Sequence, residues 1–367
     1  MERRLDYWYK EPDKKSAPKE VTSMCTSITR RRFGVGTAAV AVAAGLRRRA
    51  IAAEPFRLRC SLDTAPAHMR NQSCADYLKK LEAGADGRIK TEIFAAGALF
   101  SDINVGKALV QGQVEMACPG TWVMTGFVQD CDVVNLPELY ARPIEIVQKA
   151  VDGKTGAHIG AQLLTKLRAR VIGPWLDLGT QHWYSAKKPL HTYADLKGMK
   201  IRNAGGAALA WRTRFFDAIP NTTAWPDVPL ALSQGTFDGL LTTNESASSA
   251  KLWEAGLKFS IQDHQNLNVY VPLISESFYS SLPADLQKLM VDLWAQNIST
   301  YRANMLAAQE RALAELKNHG LETVVPEDAE LSALRKRMVA GQDQLVKDLK
   351  MTPELTHLLT EDIGSLA

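Results

Sequence analysis

The sequence of 367 residues lacks most of the motifs that announce a chemistry. It has no Gly-x-Ser-x-Gly, no His-Glu-x-x-His, and no Ser-x-x-Lys with its companion motifs, so the familiar serine- and zinc-dependent mechanisms have no signature here. Seven histidines are scattered without a pair at metal-ligand spacing on one helix, and none of the five cysteines forms a Cys-x-x-Cys. Zinc and thioredoxin-like chemistry are therefore unsupported, and no metal, cofactor or catalytic residue is assigned. Gly153-Lys154-Thr155 resembles the tail of a phosphate loop, but Gln148 stands where its first glycine belongs. After residue 53 no apolar run is long enough to span a bilayer, and no Gly-, Pro- or Ser-rich linker divides the chain. Carboxylates are plentiful, so a hydrolase stays open as an alternative; weight shifts toward a binder.

Excess positive charge is missing as well, once its position is considered. Of 44 Lys+Arg and 40 Asp+Glu, residues 1–53 hold 12 and 5, so the remainder carries 32 and 35, a net of −3. Such a body has no surplus cations for phosphates, which argues against nucleic acid. The basic N-terminus reads as an export signal. Arg30-Arg31-Arg32-Phe33 precede a weakly apolar stretch, Gly34 to Leu46, followed by Arg47-Arg48-Arg49 and the small-x-small site Ala50-Ile51-Ala52. The order resembles a twin-arginine signal, handled by the Tat machinery, with cleavage near Ala52 and a periplasmic product starting near Ala53. The polar residues 1–23 sit far upstream, and translation from Met24 would give an n-region of normal length. Four cysteines then remain, Cys60, Cys74, Cys118 and Cys131, compatible with zero, one or two disulfides.

Strands and helices alternate along the rest. Phe56–Leu62, Ile89–Phe94 and Val114–Cys118 read as strands separated by helices over 69–83 and 102–111, the pattern of a mainly parallel sheet. A second unit of the same style follows, with strands at 171–175, 182–185, 199–202 and 236–241 and helices at 207–218 and 228–234. Helical patterning from Pro283 to His319 is long enough to tie both units together. The expected fold is α/β and two-lobed, with a ligand cleft between lobes and a long lobe-spanning helix. Residues 54–178 plus 268–300 would form lobe I, and 179–267 plus 301–367 lobe II, with crossings near Leu178 and Asn266–Val269.

One local arrangement carries chemistry. Arg202 ends a strand, and the loop Asn203-Ala204-Gly205-Gly206 leads directly into a helix. Ligands of open α/β sheets lie beyond the strands' carboxyl ends, where a helix N-terminus offers N–H groups to an anion. A guanidinium adds a planar fork matched to a carboxylate. A solvated strand-end arginine is the plainer alternative.

The segment Asp195-Leu196-Lys197-Gly198-Met199-Lys200-Ile201-Arg202 resembles the DLKGxKIR segment of solute-binding proteins of TRAP (tripartite ATP-independent periplasmic) transporters. Gly87 to Leu99, Ala108 to Met116, Val134-Asn135-Leu136-Pro137 and Ala231 to Gly239 resemble further elements of that family in the right order. The resemblance implies a receptor, monomeric or weakly dimeric, that closes on a small organic acid and delivers it to TRAP membrane permease subunits. Arg202 takes the place of the family's carboxylate-binding arginine. Gln181 stands where a second arginine is common, and Thr242 where an asparagine is frequent, with Asn244 two residues on. A single guanidinium suits a monocarboxylate, and Lys187 and Lys188 fall in a turn beside Pro189. Trp122 and Trp225 are expected to wall an apolar or aromatic ligand body, and His68 to lie at the cleft rim. The alternatives from other classes are an exported hydrolase-like enzyme and a sensor subunit of a membrane kinase.

Overall fold

The computed structural model describes residues 54–364; the expected export signal, cleavage site and Met24 start lie outside the described residues. In β1 (Phe56–Ser61) Leu58 and Cys60 are fully buried, as its apolar alternation requires. β1 pairs in parallel with β2 (Ile89–Phe94) and β3 (Met116–Ala117). The helix Met69–Gly84 covers this sheet with Cys74, Tyr77, Leu78 and Leu81, spaced by helical turns. Two further strands, β4 (Ala169–Val171) and β12 (Leu273–Ser275), complete the sheet in the order β2-β1-β3-β12-β4.

The second sheet has the order β13-β10-β6-β9-β7-β8, built from β6 (His182–Ser185), β7 (Lys200–Asn203), β8 (Ile219–Thr222), β9 (Gly239–Thr242), β10 (Phe259–Ile261) and β13 (Glu322–Val324). Both sheets are mixed rather than mainly parallel. β12 runs antiparallel to β3 and β4, and β6 antiparallel to β9 and β10, because the chain passes from one lobe to the other and returns. Those passages are β5 (Leu176–Thr180) and β11 (Leu267–Tyr270), which form a separate antiparallel ribbon with a register shift between Asn268 and Val269.

A strand expected at 171–175 is instead a break between β4 and β5. Pro174 has no N–H to give a ladder, and a side chain at Gly173 would lie 2.7 Å from the Trp294 ring. The helix Ala284–Asn318 spans both lobes: Leu286, Met290 and Trp294 pack in the core of the first, Leu316 in that of the second. The C-terminal segment departs from its expected place in lobe II. Leu355 and Leu359 of the helix Pro353–Ile363 join the core containing Val147, Ile159 and Leu163, so this helix belongs with lobe I. Among the described residues no helix is long and apolar enough to cross a membrane.

Candidate functional site

β7 delivers Arg202 to the space between the lobes, where its residue is only 2% exposed. Nε and Nη2 donate to the carbonyl oxygen of Thr223 at 3.0 and 2.8 Å, and the guanidinium lies 5.3 Å from the centre of the Trp225 ring. These contacts fix the plane of the fork while leaving Nη1 without a protein acceptor among the described residues. Burial pulls the guanidinium down to about 10, with only a partial opposing effect from Asp63. A charge held in this way, without a counter-ion, is prepared for an anion.

A small cavity of about 40 Å³ lies against Arg202 with the lobes drawn together as they are here. Gln181, Thr242, Trp122 and Trp225 line it together with Arg202. Trp122 stands against Tyr270, centroids 5.7 Å apart, and folds over a glycine: a Cβ at Gly120 would lie 2.2 Å from the indole. The side-chain oxygen of Gln181 is buried without a protein partner. Pro226, beside Trp225, meets Gly97 so closely that a Cβ there would lie 2.9 Å away.

Two expected residues lie elsewhere. His68 does not sit at the rim; it is fully buried and caps the helix Met69–Gly84, its Nδ1 accepting from the Arg70 N–H. Its Nε2 faces lobe II, 2.8 Å from Glu245 Oε2 and 3.1 Å from Ser246 Oγ. Asn244 points away from the cleft, accepting from the Tyr184 hydroxyl at 2.6 Å and donating to Gln262. The helix N-terminus after the Asn203–Gly206 loop is also not open to a ligand. The Asp132 carboxylate reaches across from lobe I and accepts from the Ala207 and Ala208 N–H groups at 3.0 and 3.1 Å. Burial pushes that carboxyl up to about 6.

Sequence reasoning missed the acidic side of the cleft. Asp63 and Thr64 follow the end of β1, and Asp102 opens the helix Asp102–Val110; all three line the cavity. Arg70 lies behind them, fully buried, paired with Asp63 at 2.6 Å and Asp102 at 2.7 Å, and 4.2 Å from the Tyr270 ring centre. Burial pushes the Asp102 carboxyl up to about 7; Arg70 pulls against this and Asp63 adds to it. The placement of Asp63 just beyond a strand's carboxyl end was a usable signal. Nothing local marked Tyr270, and Arg70 joins Asp63, seven residues away, to the remote Asp102. Among the described residues no three His, Cys, Asp or Glu are arranged to hold a metal ion.

The C4-dicarboxylate-binding periplasmic protein DctP of Rhodobacter capsulatus is 28% identical over 302 residues, covering 80% of this chain and 86% of its own. A TRAP periplasmic solute-binding protein from Desulfovibrio salexigens, solved with bound orotic acid, superposes with a TM-score of 0.78 at 21% identity, covering 85% of this chain and 100% of that one. The sugar-acid-binding protein DctPAm of Advenella mimigardefordensis, solved with galactonate, gives a TM-score of 0.78 at 19% identity, covering 83% and 97%. Those two likenesses place the chain in the two-lobed fold. Residues 62–348 match the profile of the DctP family, so the chain belongs to the bacterial extracellular solute-binding proteins of family 7.

Proposed function

We propose that the protein is the extracytoplasmic receptor of a TRAP transporter, closing on a small organic monocarboxylate and passing it to a membrane permease. The observation that carries this is Arg202, a buried guanidinium held by Thr223 and Trp225 with no carboxylate of the protein paired to it. A ligand carboxylate would supply the missing charge in a charge-assisted contact. The relatives bind acids of several kinds, a C4-dicarboxylate, orotic acid and galactonate among them, so the choice of acid rests on this chain's own lining.

That lining favours one carboxylate over two. Beyond Arg202 its charged groups are Asp63 and Asp102, and the cation near them, Arg70, is already engaged by both. A second ligand carboxylate would meet acids and the neutral amide of Gln181, at a cost of several kcal/mol for an unpaired buried charge. Trp122 and Trp225 offer apolar faces to the body of the ligand, which favours an apolar or aromatic one. A hydroxylated monocarboxylate is the second reading, because Thr64 and Asp102 present acceptors to the same space. Export by the twin-arginine route is part of the proposal, supported by the basic, weakly apolar segment before Ala53.

Calorimetry against a panel separates these ligands. Aromatic or branched monocarboxylates should bind and succinate, malate and fumarate should not. Binding of sugar acids alone would favour the hydroxylated reading. Tight binding of a C4-dicarboxylate without any monocarboxylate would overturn the ligand class and leave the receptor standing.

A further inference from the structure

Glu245 reaches from lobe II into lobe I beside the cavity. It belongs to the helix Asn244–Ser249 and is only 5% exposed. Its Oε1 accepts from the Met69 N–H at 2.8 Å, the first amide of the helix Met69–Gly84. Its Oε2 lies 2.8 Å from His68 Nε2 without an aligned hydrogen bond, while the same nitrogen bonds Ser246 Oγ at 3.1 Å. His68 Nδ1 accepts from the Arg70 N–H, which places the ring's proton on Nε2. The first amides of a helix have no partner within it. Here the second is capped from its own lobe and the first from the other, by a carboxylate set against the positive end of the helix.

We propose that the contact of Glu245 with the Met69 amide is a clasp that holds the occupied receptor shut. Glu245 is then a positioning residue, acting on how long a ligand is kept and not by touching it. The proposal rests on the receptor reading above. What marks the contact as one made on closing is its place. Asp63 and Thr64 line the cavity from lobe I, just before His68; Thr243 and Ser246 line it from lobe II, on either side of Glu245. Opening the cavity draws these two walls apart, and Glu245 leaves Met69 with them. Water then serves the amide and the carboxylate separately. Closing replaces it by one charge-assisted hydrogen bond out of solvent.

Further contacts join the clasp to the parts that move. The Glu245 N–H donates to Gln309 Oε1 at 3.0 Å, and Gln309 Nε2 donates to the Leu178 carbonyl at 2.6 Å. Gln309 lies in the helix Ala284–Asn318 and Leu178 in β5, so the clasp is tied through the lobe-spanning helix to the ribbon between the lobes. On the other side, Arg70 follows Met69 directly and holds Asp63 and Asp102, which line the cavity. The helix start that Glu245 grips is therefore the one that organises the acidic wall of the cleft.

Proline allows the donor alone to be removed. Met69 is the first helical residue, where proline's fixed φ suits the helix and its missing N–H is one the helix does not use. His68, at φ −64° and ψ 136°, already has the extended backbone that a following proline requires. Met69→Ala controls for the lost side chain. Stopped-flow tryptophan fluorescence, reporting through Trp122 and Trp225 in the cavity wall, follows release of phenylacetate, isovalerate, galactonate and succinate in turn. For each acid that the parent binds, Glu245→Ala and Met69→Pro should speed release by about tenfold to a hundredfold, the factor of one hydrogen bond to a charged group. The double variant should release no faster than Glu245→Ala alone, and Met69→Ala should release like the parent. A contact that only stiffened the fold would lower the denaturation midpoint and leave release unmoved. Release within threefold of the parent in both Glu245→Ala and Met69→Pro would overturn the clasp, and so would independent, multiplying effects in the double variant. A parent that binds none of the four acids would strike the receptor reading, and the clasp with it.

Discussion

Replacing Arg202 by methionine keeps much of its apolar stem and removes its charge. The structure assigns two opposing effects on the empty protein. Burial lowers the guanidinium from its ordinary value to about 10, and at 2% exposure there is little solvent screening to discount. At about 1.4 kcal/mol for each pKa unit, the charge costs the folded state about 3 kcal/mol at any pH below about 10, neutral pH included. Against this, the variant loses both hydrogen bonds to the Thr223 carbonyl and strands that acceptor, a cost of about 1–3 kcal/mol. The two nearly cancel, so stability measured by denaturant should change by less than about 2 kcal/mol. Binding has no such compensation. A ligand carboxylate left without its buried partner loses about 2–5 kcal/mol, roughly thirtyfold to several thousandfold in affinity. Arg202→Lys should also bind weakly, since an ammonium cannot reproduce the fork. Calorimetry and chemical denaturation on the same preparations decide the matter. An Arg202→Met protein that binds its acid within threefold of the parent would refute the anion site.

Closure and pH dependence give two further tests. Scattering in solution should show a smaller radius of gyration with saturating ligand, the lobes turning about the β5–β11 ribbon, and a curve unchanged by ligand would defeat the hinge. Asp132, pushed up to about 6 by burial, binds its proton more tightly folded than unfolded. Its contribution to stability is therefore complete below about pH 4 and lost as pH rises through about 6. Asp132→Asn should flatten the stability profile between about pH 4 and 6, and parallel profiles for the two proteins from about pH 3 to 8 would contradict this.

Legibility in the sequence followed locality. β1 and the helices at 69 and 284 announced themselves through apolar spacing, because each buries an apolar face at strand or helical period. Arg202 was visible as a strand-end arginine, Gln181 and Thr242 only through the family resemblance, and all three line the cleft with Trp122 and Trp225. His68 and Asn244 also looked like cleft residues, yet each satisfies a partner from a remote segment, Glu245 with Ser246 and Tyr184 with Gln262. The capping of the Ala207 N–H by Asp132 spans 75 residues and left no local trace. The same holds for the Arg70 pairs with Asp63 and Asp102, which form only when β1 and two helices meet.

The uncompensated charge of Arg202 has a consequence for an empty receptor. To the extent that closing the lobes is what strips water from the guanidinium, the shut but vacant form bears a penalty of up to about 3 kcal/mol, which disfavours it by up to about 150-fold. An acid paired with the guanidinium would cancel that penalty and shift the balance toward the shut form. The two lobes thus have an opposing spring set against closing on nothing, and its release is supplied by the cargo. Occupancy and shape become one variable, so a membrane component that recognises the shut form meets few vacant copies of it.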